Sequence, residues 1–170
     1  MNSNKNLVFL GMMGSGKSSI GNLVSKKLDL PFMDVDRLIV ENTGMSISEI
    51  FEKKGENYFR NLEERITLKC LKKISNVISL GGGGFINDKI RKNILSNHFS
   101  FWLNWDDSIL IKRIKNSKKR PLAFKSTDQK IRAIIKDRSR IYSNAQFKIN
   151  CNKLTKTEIV NKIIKIYELN

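Results

Sequence analysis

Short apolar runs alternate with amphipathic stretches along the whole chain. Residues 7–10 are uniformly apolar, whereas residues 17–28 carry apolar side chains at the spacing of one buried helical face. The alternation continues to the C-terminus, and strands that alternate with helices predict a parallel sheet covered by helices on both faces. The predicted strands cover residues 7–10, 30–34, 77–80, 99–103 and 147–149.

Capping signals mark where several helices begin. Ser46 with Glu49, and Thr155 with Glu158, have the capping-box spacing that starts a helix. Gly55 is expected to end the first of these two helices, and a longer helix follows it. The predicted helices cover residues 17–28, 34–40, 46–54, 56–73, 88–96, 106–114 and 128–145, with a last helix after residue 155.

A glycine-rich motif stands between the first strand and the first helix. Residues 11–18 match the pattern G-x-x-x-x-G-K-[ST] at every fixed position. Glycines let the backbone turn tightly and present N–H groups to phosphate, and the start of a helix adds a favourable partial charge. Lys17 would reach the β and γ phosphates of ATP, and Ser18 would place its hydroxyl on the accompanying Mg²⁺. A glycine-rich turn with an incidental Lys-Ser pair would not explain the flanking strand and helix.

Two carboxylates leave the second predicted strand together. Asp34 and Asp36 follow it directly, and the carboxyl ends of strands border the ligand crevice in an open α/β sheet. One of them could instead be only a helix N-cap, a position that aspartate suits. Four glycines, residues 81–84, follow the third strand and remove side chains from that wall of the crevice. The third strand carries no acidic residue at its end, which leaves Asp34 as the carboxylate expected near the metal.

A further pair of charges lies on the long helix after Gly55. Arg60 and Glu63 are three residues apart, so they are neighbours on one helix face and can fix each other's orientation. Glu63 also belongs to the stripe of that helix that points inward. An ordinary surface ion pair remains the alternative for these two side chains.

Net charge is the most unusual feature of the composition. The chain of 170 residues has a formal charge of +16, and a basic face is the footprint of nucleic-acid binding. The 32 basic residues are mostly lysines scattered over nearly every predicted helix, which favours a solvated surface instead. We therefore expect no nucleic-acid partner.

Cysteine, histidine and the apolar runs limit the remaining options. Cys70 and Cys151 are far apart and lack a metal-ligand pattern, so we expect reduced core thiols. His98, the one histidine, is expected at the surface or as a helix cap, with no catalytic role. Residues 1–5 are too short and polar for a signal peptide, and no apolar run approaches membrane-spanning length. A cytoplasmic monomer without membrane contact is the expectation.

The ordered set of motifs resembles the shikimate kinases through nearly the whole chain. Besides the phosphate loop, the resemblance is carried by residues 32–36, 50–63, 80–83, 120–122 and 138–142. It implies a nucleoside-monophosphate-kinase-like P-loop kinase, an α/β fold of three layers with a five-stranded parallel sheet flanked by helices. Residues 1–170 would form one domain, with a substrate-binding segment at about 34–63 and a lid at about 114–126. The implied reaction transfers the γ-phosphoryl group of ATP to the 3-hydroxyl of shikimate.

The resemblance also assigns the acceptor side. Asp36 would contact the reacting hydroxyl, and Arg60 and Arg138 would hold the shikimate carboxylate. Arginine suits this role because its planar guanidinium matches a carboxylate with two parallel hydrogen bonds. The backbone contacts would come from Gly81, Gly82 and Gly83.

On the nucleotide side, the resemblance places Arg113 on adenine and Arg120 over the phosphates. Ser18 and Asp34 would serve Mg²⁺, the latter through water. Lys17, Asp36 and Arg120 would be the catalytic residues. The ATP-binding positions would be Gly14, Ser15, Gly16, Lys17, Ser18, Ser19, Arg113 and Arg120.

Two arginines compete for the substrate carboxylate, because the segment after Tyr142 is one residue shorter than the family pattern. Arg138 falls within the apolar stripe of its predicted helix, four residues before Tyr142, whereas Arg140 lies off that stripe. A charged group on an inward stripe is costly without a partner, so Arg138 is the expected ligand. The competing functions are a P-loop kinase for another small polyol or acid, such as gluconate, and a nucleic-acid-binding protein.

Overall fold

A parallel sheet forms the centre of the protein, and the computed structural model describes residues 4–116 and 126–170 of the chain. All four strand pairings are parallel, in the order β2-β3-β1-β4-β5. Every residue of β1 is buried, as its uniformly apolar sequence predicts. The strands are β1 Leu7–Leu10, β2 Phe32–Asp34, β3 Val77–Ser79, β4 Phe99–Asn104 and β5 Phe147–Asn150.

Helices follow each strand and cover both faces of the sheet. Side chains alternate across a strand, so Leu7 and Phe9 pack toward one face and Val8 and Leu10 toward the other. The α/β class, the five parallel strands and the flanking helices agree with the prediction. The described helices are α1 Lys17–Leu28, α2 Val35–Thr43, α3 Ile47–Leu71, α4 Asp88–Asn97, α5 Asp107–Lys115, α6 Asp128–Tyr142 and α7 Lys156–Glu168, with a short 3-10 turn at Gly84–Ile86.

Some helix bounds differ from the prediction. The helix α2 runs on to Thr43 and ends at Gly44, whose φ of 67° lies in the left-handed region that glycine favours. The helix α6 ends at Tyr142, three residues before the predicted end, because Ser143 already caps it. Both capping boxes are present as predicted, at Ser46 and at Thr155.

A break at Gly55 divides α3 into two parts. Gly55 has φ 81° and ψ 170°, a conformation that side-chain-bearing residues rarely adopt, and helix continues on both sides of it. The prediction of two helices separated at this residue is confirmed. The break lets the part before it and the part after it both face the same cavity.

The amino-terminal end of the sheet contains a buried polar cluster. The Asn6 backbone N–H donates to Nδ1 of His98 (3.3 Å), and the Asn6 side chain donates to the carbonyls of Leu71 and Lys73. His98 is the C-cap residue of α4 and is buried, so of the two positions predicted for it, surface or cap, it takes the cap. Burial lowers the pKa of His98.

The structure also tests the predictions made for the two cysteines and for membrane-spanning helices. Cys70 and Cys151 are buried free thiols, as predicted. Burial raises the pKa of Cys151 to about 12, so its thiol stays protonated at neutral pH. Within residues 4–116 and 126–170, no helix combines the length and the apolar character that a membrane crossing requires.

Candidate active site

The phosphate loop lies at the carboxyl end of β1, in the middle of the sheet. Gly16 is the N-cap of α1 with φ 89°, and Gly11 has φ 137°. A Cβ on Gly11 would also lie only 3.0 Å from the carbonyl oxygen of Leu103 on the neighbouring strand. Only glycine fits there, so the loop can turn directly from β1 into α1 with its amides at the helix start.

Lys17 lies folded against this loop. Its Nζ donates to the carbonyls of Gly11 (2.9 Å) and Met12 (3.0 Å), and only 7% of the residue is exposed. The ammonium group is therefore positioned over the loop by the loop's own backbone. A phosphate bound to the loop amides would meet a preformed positive charge.

An oxygen cluster lies beside the start of α1. The hydroxyls of Ser18 and Ser79 are 3.5 Å apart, and Ser79 is in register with Asp34 on the neighbouring strand. One Asp34 carboxylate oxygen accepts the backbone N–H of Arg37 (3.1 Å), so Asp34 is the N-cap of α2. The helix-cap role left open between the two aspartates thus belongs to Asp34. Ser79 was missed from the sequence, although its place at the carboxyl end of β3 could have indicated it.

A cavity of about 270 Å³ opens between α3, α6 and the glycine segment. It brings together the predicted acceptor residues Asp36, Arg60 and Arg138. Aromatic and aliphatic side chains from both parts of α3 form an apolar wall that sequence reasoning did not identify. The cavity is lined by Met13, Asp36, Ile47, Ser48, Phe51, Phe59, Arg60, Glu63, Gly82, Gly83, Ser126, Ile134 and Arg138.

Arg60 is held by two carboxylates. Its Nη1 donates to Glu63 (2.7 Å), and its Nε and Nη2 donate to Glu56 (3.2 Å each). The Arg60–Glu63 pairing predicted from the sequence is confirmed, and it is not an ordinary surface pair because only 3% of the Glu63 side chain is exposed.

Glu63 is the most deeply buried charged group of the cavity. Burial raises its pKa and Asp36 adds to that rise, while Arg60 and Arg138 oppose it. Its Oε1 atom has no hydrogen-bond partner within the part of the chain that the structure describes. The cavity therefore contains a carboxylate that is incompletely compensated.

The glycine segment after β3 makes room for these charges. A Cβ on Gly81 would overlap Oε1 of Glu63 and lie 2.8 Å from Oδ1 of Asp36, and a Cβ on Gly83 would overlap the Arg60 guanidinium. The carbonyl of Gly82 accepts hydrogen bonds from Arg138 Nη1 (3.2 Å) and from the Tyr142 hydroxyl. The predicted glycine wall is in place, and side-chain charges pack directly against it.

The two competing arginines of α6 lie on different sides of the helix. Arg138 lines the cavity and is bonded to Gly82, whereas Arg140 is exposed and lines a separate outer groove with Asp107 and Lys136. The choice of Arg138 as the inward residue thus agrees with its position. Tyr142, which shares the Gly82 carbonyl, was not expected to contribute.

Arg113 lies against the phosphate loop at Gly14 and does not line the cavity. Its Nη1 donates to the carbonyl of Gly14 (3.3 Å), and its guanidinium stacks on the ring of Trp105 at 3.8 Å. Trp105 was missed from the sequence. The predicted phosphate residue Arg120 and most of the predicted lid, residues 114–126, lie outside the described residues.

Comparisons with known proteins agree with this geometry. The sequence model of the family described as "Shikimate kinase" matches residues 13–168. The chain belongs to the shikimate kinase family. A shikimate kinase from Thermodesulfovibrio yellowstonii is 39% identical over 165 residues, which cover 96% of this chain and 95% of that protein. Relatives of this kind are ATP-dependent kinases.

Solved structures support the same family more strongly than the gluconate alternative. A shikimate kinase from Acinetobacter baumannii in complex with shikimate has a TM-score of 0.93 and 27% identity, covering 99% of this chain and 96% of that one. A gluconokinase from Sinorhizobium meliloti has a TM-score of 0.59 and 14% identity, covering 99% and 95%. The gluconokinase similarity shows the fold alone.

Proposed function

We propose that the protein transfers the γ-phosphoryl group of ATP to the 3-hydroxyl of shikimate, giving shikimate 3-phosphate and ADP, within aromatic amino acid biosynthesis. The observation that carries the proposal is the cavity in which Asp36, Arg60 and Arg138 converge next to the phosphate loop. Family membership and the similarity to a shikimate-bound kinase support it. Among the described residues, no feature of the cavity favours gluconate over shikimate as the acceptor.

The acceptor is held at its carboxylate by two arginines. Arg60 and Arg138 present guanidinium groups to one cavity, and each can form parallel hydrogen bonds to a carboxylate. Glu63 fixes Arg60 through the 2.7 Å bond, so the guanidinium is positioned before substrate arrives. The ring of the acceptor packs on the apolar wall that includes Phe51 and Phe59. Backbone groups at Gly81, Gly82 and Gly83 complete the contact.

Asp36 acts on the hydroxyl that attacks. Asp36 lines the cavity, and the helix-cap role belongs to Asp34. Asp36 orients the hydroxyl and accepts its proton as the bond to phosphorus forms. Phosphoryl transfer otherwise requires positioning and charge stabilisation more than covalent help from the protein.

ATP binds through its phosphates at the loop and the start of α1. Lys17 stabilises the charge of the transferring group, and Arg113 packs on adenine. Arg120 closes over the phosphates and keeps water from taking the phosphoryl group. The backbone and hydroxyl groups that hold the phosphates belong to Gly14, Ser15, Gly16, Ser18 and Ser19.

Magnesium accompanies the nucleotide, and the oxygen cluster fits it. Mg²⁺ prefers oxygen ligands and is usually held by one or two protein groups together with phosphates and waters. Ser18 and Asp34 supply a hydroxyl and a carboxylate, and Ser79 contributes a further oxygen beside Ser18. These residues would hold the ion, which neutralises phosphate charge when bound. Within the described ranges, no group of three His, Cys, Asp or Glu side chains forms a separate metal site.

The proposal also covers the oligomeric state, the cellular location and the partners of the protein. The chain acts as a single-domain monomer in the cytoplasm, with its two thiols reduced, and without a nucleic-acid or membrane partner. The buried free cysteines support a reducing compartment. Size-exclusion chromatography with light scattering tests the monomer.

A coupled assay of ADP release tests the reaction. With ATP and Mg²⁺, shikimate should stimulate ADP release, whereas gluconate, nucleoside monophosphates and single-stranded DNA should not. Phosphorus NMR of the product should show a phosphate ester at the 3-hydroxyl. Stimulation by gluconate with no response to shikimate would overturn the assignment, and stimulation by DNA alone would replace it with a nucleic-acid-dependent activity.

A further inference from the structure

Trp105 lies between the end of β4 and the phosphate loop and contacts the loop through its indole ring. It follows β4 directly and is partly buried, packing against the apolar clusters on both faces of the sheet. Its indole Nε1 donates to the backbone carbonyl of Ser15 at 2.8 Å, across 90 positions of sequence. The apolar part of the indole is therefore packed against other side chains, and its polar N–H is hydrogen-bonded to the loop.

This hydrogen bond fixes one particular peptide of the loop. The carbonyl of Ser15 and the N–H of Gly16 belong to the same planar trans peptide, so they point in opposite directions. Gly16 has φ 89° and begins α1, where backbone N–H groups face bound phosphate. The indole holds the Ser15 carbonyl toward itself, so the Gly16 N–H of the same peptide points away from the indole.

The same ring also positions Arg113. The guanidinium lies 3.8 Å from the centre of the Trp105 ring and donates to the carbonyl of Gly14. A stacked guanidinium is held flat by a cation–π contact, which leaves its opposite face presented outward. Arg113 is exposed, so without this stack its long side chain would have many conformations available.

The segment that follows Trp105 is tied to the loop after β5. The Asp106 backbone N–H donates to Oδ1 of Asn152 and the Asn152 amide donates back to the Asp106 carboxylate, at 2.7 Å each. Trp105 is thereby anchored from two sides, by its packed ring and by this reciprocal pair. It is a rigid support rather than a surface aromatic.

We propose that Trp105 is a positioning residue for the nucleotide, acting through the Ser15–Gly16 peptide and through Arg113. The indole N–H orients the loop amide toward phosphate, and the indole face holds the guanidinium flat for the adenine ring. The inference rests on the proposed use of ATP. It assigns Trp105 no contact with the acceptor, so its removal should change nucleotide affinity and leave shikimate affinity nearly unchanged.

Two substitutions separate the two contacts. Trp105→Phe keeps an aromatic face for Arg113 and removes only the N–H donor, so the Kd for ADP should rise about twofold to tenfold, the range of one lost hydrogen bond. Trp105→Leu removes both contacts and should raise the Kd further. Calorimetric titration with ADP measures both values, and the KM for shikimate should stay within about twofold of wild type in Trp105→Phe.

A double-variant cycle tests the route through Arg113. In an Arg113→Ala background, the change from Phe to Leu at position 105 should have little further effect on ADP affinity, because the stacking partner is gone. Trp102→Phe is the matched control, since Trp102 lies on β4, three residues before Trp105, and its ring contacts Lys148 and Tyr142. In that control Trp105 is the sole tryptophan, and ADP should change its fluorescence.

Unchanged ADP affinity in both Trp105 variants would overturn the proposal, as would a Trp105 emission that ADP does not alter. Equal losses of ADP and shikimate affinity would also overturn it, because they would indicate a general loss of structure. If Trp105→Leu does not fold, Trp105→Phe still decides. ADP binding is measured without shikimate, so a protein that binds ADP but fails to phosphorylate shikimate would refute the proposed reaction and leave this inference standing.

Discussion

The phosphate loop and the acceptor cavity lie side by side but are built in different ways. The loop uses backbone groups, and its one charged side chain, Lys17, is bonded to two carbonyls of the loop itself. The cavity uses charged side chains that oppose one another, among them Arg60, Arg138 and the buried Glu63. Each region keeps one buried oxygen without a hydrogen-bond partner among the described residues, but in the loop it is the neutral hydroxyl of Ser15, whereas in the cavity it is a carboxylate oxygen of Glu63.

This difference reflects what each region must recognise. Phosphate is the same in every ATP, and a contiguous loop of amides at a helix start is sufficient to bind it. The acceptor presents a carboxylate and a reacting hydroxyl at separate points, so its site must bring charges from several elements together. Asp36 on α2, Arg60 on α3 and Arg138 on α6 meet only after folding. Variants in the two regions should therefore fail in different ways.

Asp36→Asn should produce the largest effect. The amide keeps the size of the side chain but removes the charge that orients the hydroxyl or accepts its proton, so kcat should fall about 100-fold to 10,000-fold. The KM for ATP should change much less, because the loop is untouched. Steady-state kinetics with each substrate varied separately measures this split.

Asp29→Asn is the matched control for Asp36. Asp29 is an exposed carboxylate in the left-handed conformation that asparagine tolerates, so its activity and melting temperature should remain those of wild type. An Asp36→Asn protein with full kcat and a lowered melting temperature would show that Asp36 is structural.

Lys17→Ala tests the loop side of the comparison. Removing one positioned donor for transferring charge should lower kcat about 100-fold to 1,000-fold and weaken ATP binding. Shikimate affinity, measured by calorimetry without nucleotide, should stay near wild type because Lys17 does not line the cavity. Lys26→Ala, on the exposed side of the same helix, is the control and should be fully active. Wild-type turnover in a folded Lys17→Ala protein would remove the loop from the mechanism.

The sequence predicted the loop side better than the cavity side, for a physical reason. The glycine motif of the loop and the strand and helix that flank it lie within residues 7–28, and both β1 and α1 have the predicted bounds. Local spacing could not decide which of Asp34 and Asp36 caps α2, because that depends on how the chain leaves β2. The helical stripe predicted that Glu63 points inward, but only the packing of α3 shows that its carboxylate lies against Gly81.

Long-range contacts account for most of what was missed. The Trp105 hydrogen bond to Ser15 joins residues 90 positions apart, and the Tyr142 bond to Gly82 joins residues 60 positions apart. Neither tryptophan nor tyrosine belongs to a motif that would have indicated such a partner. The inward position of Arg138 could be predicted because a charged residue on an apolar helical stripe is a local signal, whereas its role toward the substrate stays a prediction.

Arg138→Ala should have a smaller effect than the loss of Asp36 or Lys17. A hydrogen bond to a charged group is worth roughly 1.5 to 3 kcal/mol, so the KM for shikimate should rise about tenfold or more. The KM for ATP should be little affected. Arg140→Ala is the control, since Arg140 is exposed on the outer groove, and it should leave both KM values near wild type. The reverse pattern would show that the carboxylate is read from the other side of α6.

Glu63→Gln should have the smallest effect on activity and an unusual effect on stability. The amide still accepts a bond from Arg60 but holds the guanidinium less firmly, so the KM for shikimate should rise about threefold to tenfold. The unfolding free energy at neutral pH should be unchanged or higher than in wild type. Arg60 is not stranded by the change, because it is 35% exposed and still bonded to Glu56.

The pH dependence of that stability difference carries the test, because the folded pKa of Glu63 is raised above its usual value of 4.5. A carboxyl group whose pKa is higher in the folded than in the unfolded protein stabilises the fold when it is protonated. This contribution is fully present below the unfolded pKa and is lost as pH rises through the folded pKa. Any advantage of Glu63→Gln over wild type should therefore disappear as pH falls toward about 4.5. The neighbouring Glu64, bonded to Lys89 and Asn87, has a lowered pKa, so Glu64→Gln should instead be less stable than wild type at neutral pH. Chemical denaturation of both variants across this pH range measures the two opposite trends. A Glu63→Gln protein that is markedly less stable than wild type at neutral pH would contradict the prediction. It would show that the stabilisation from the ion pair with Arg60 exceeds the cost of burying the Glu63 charge.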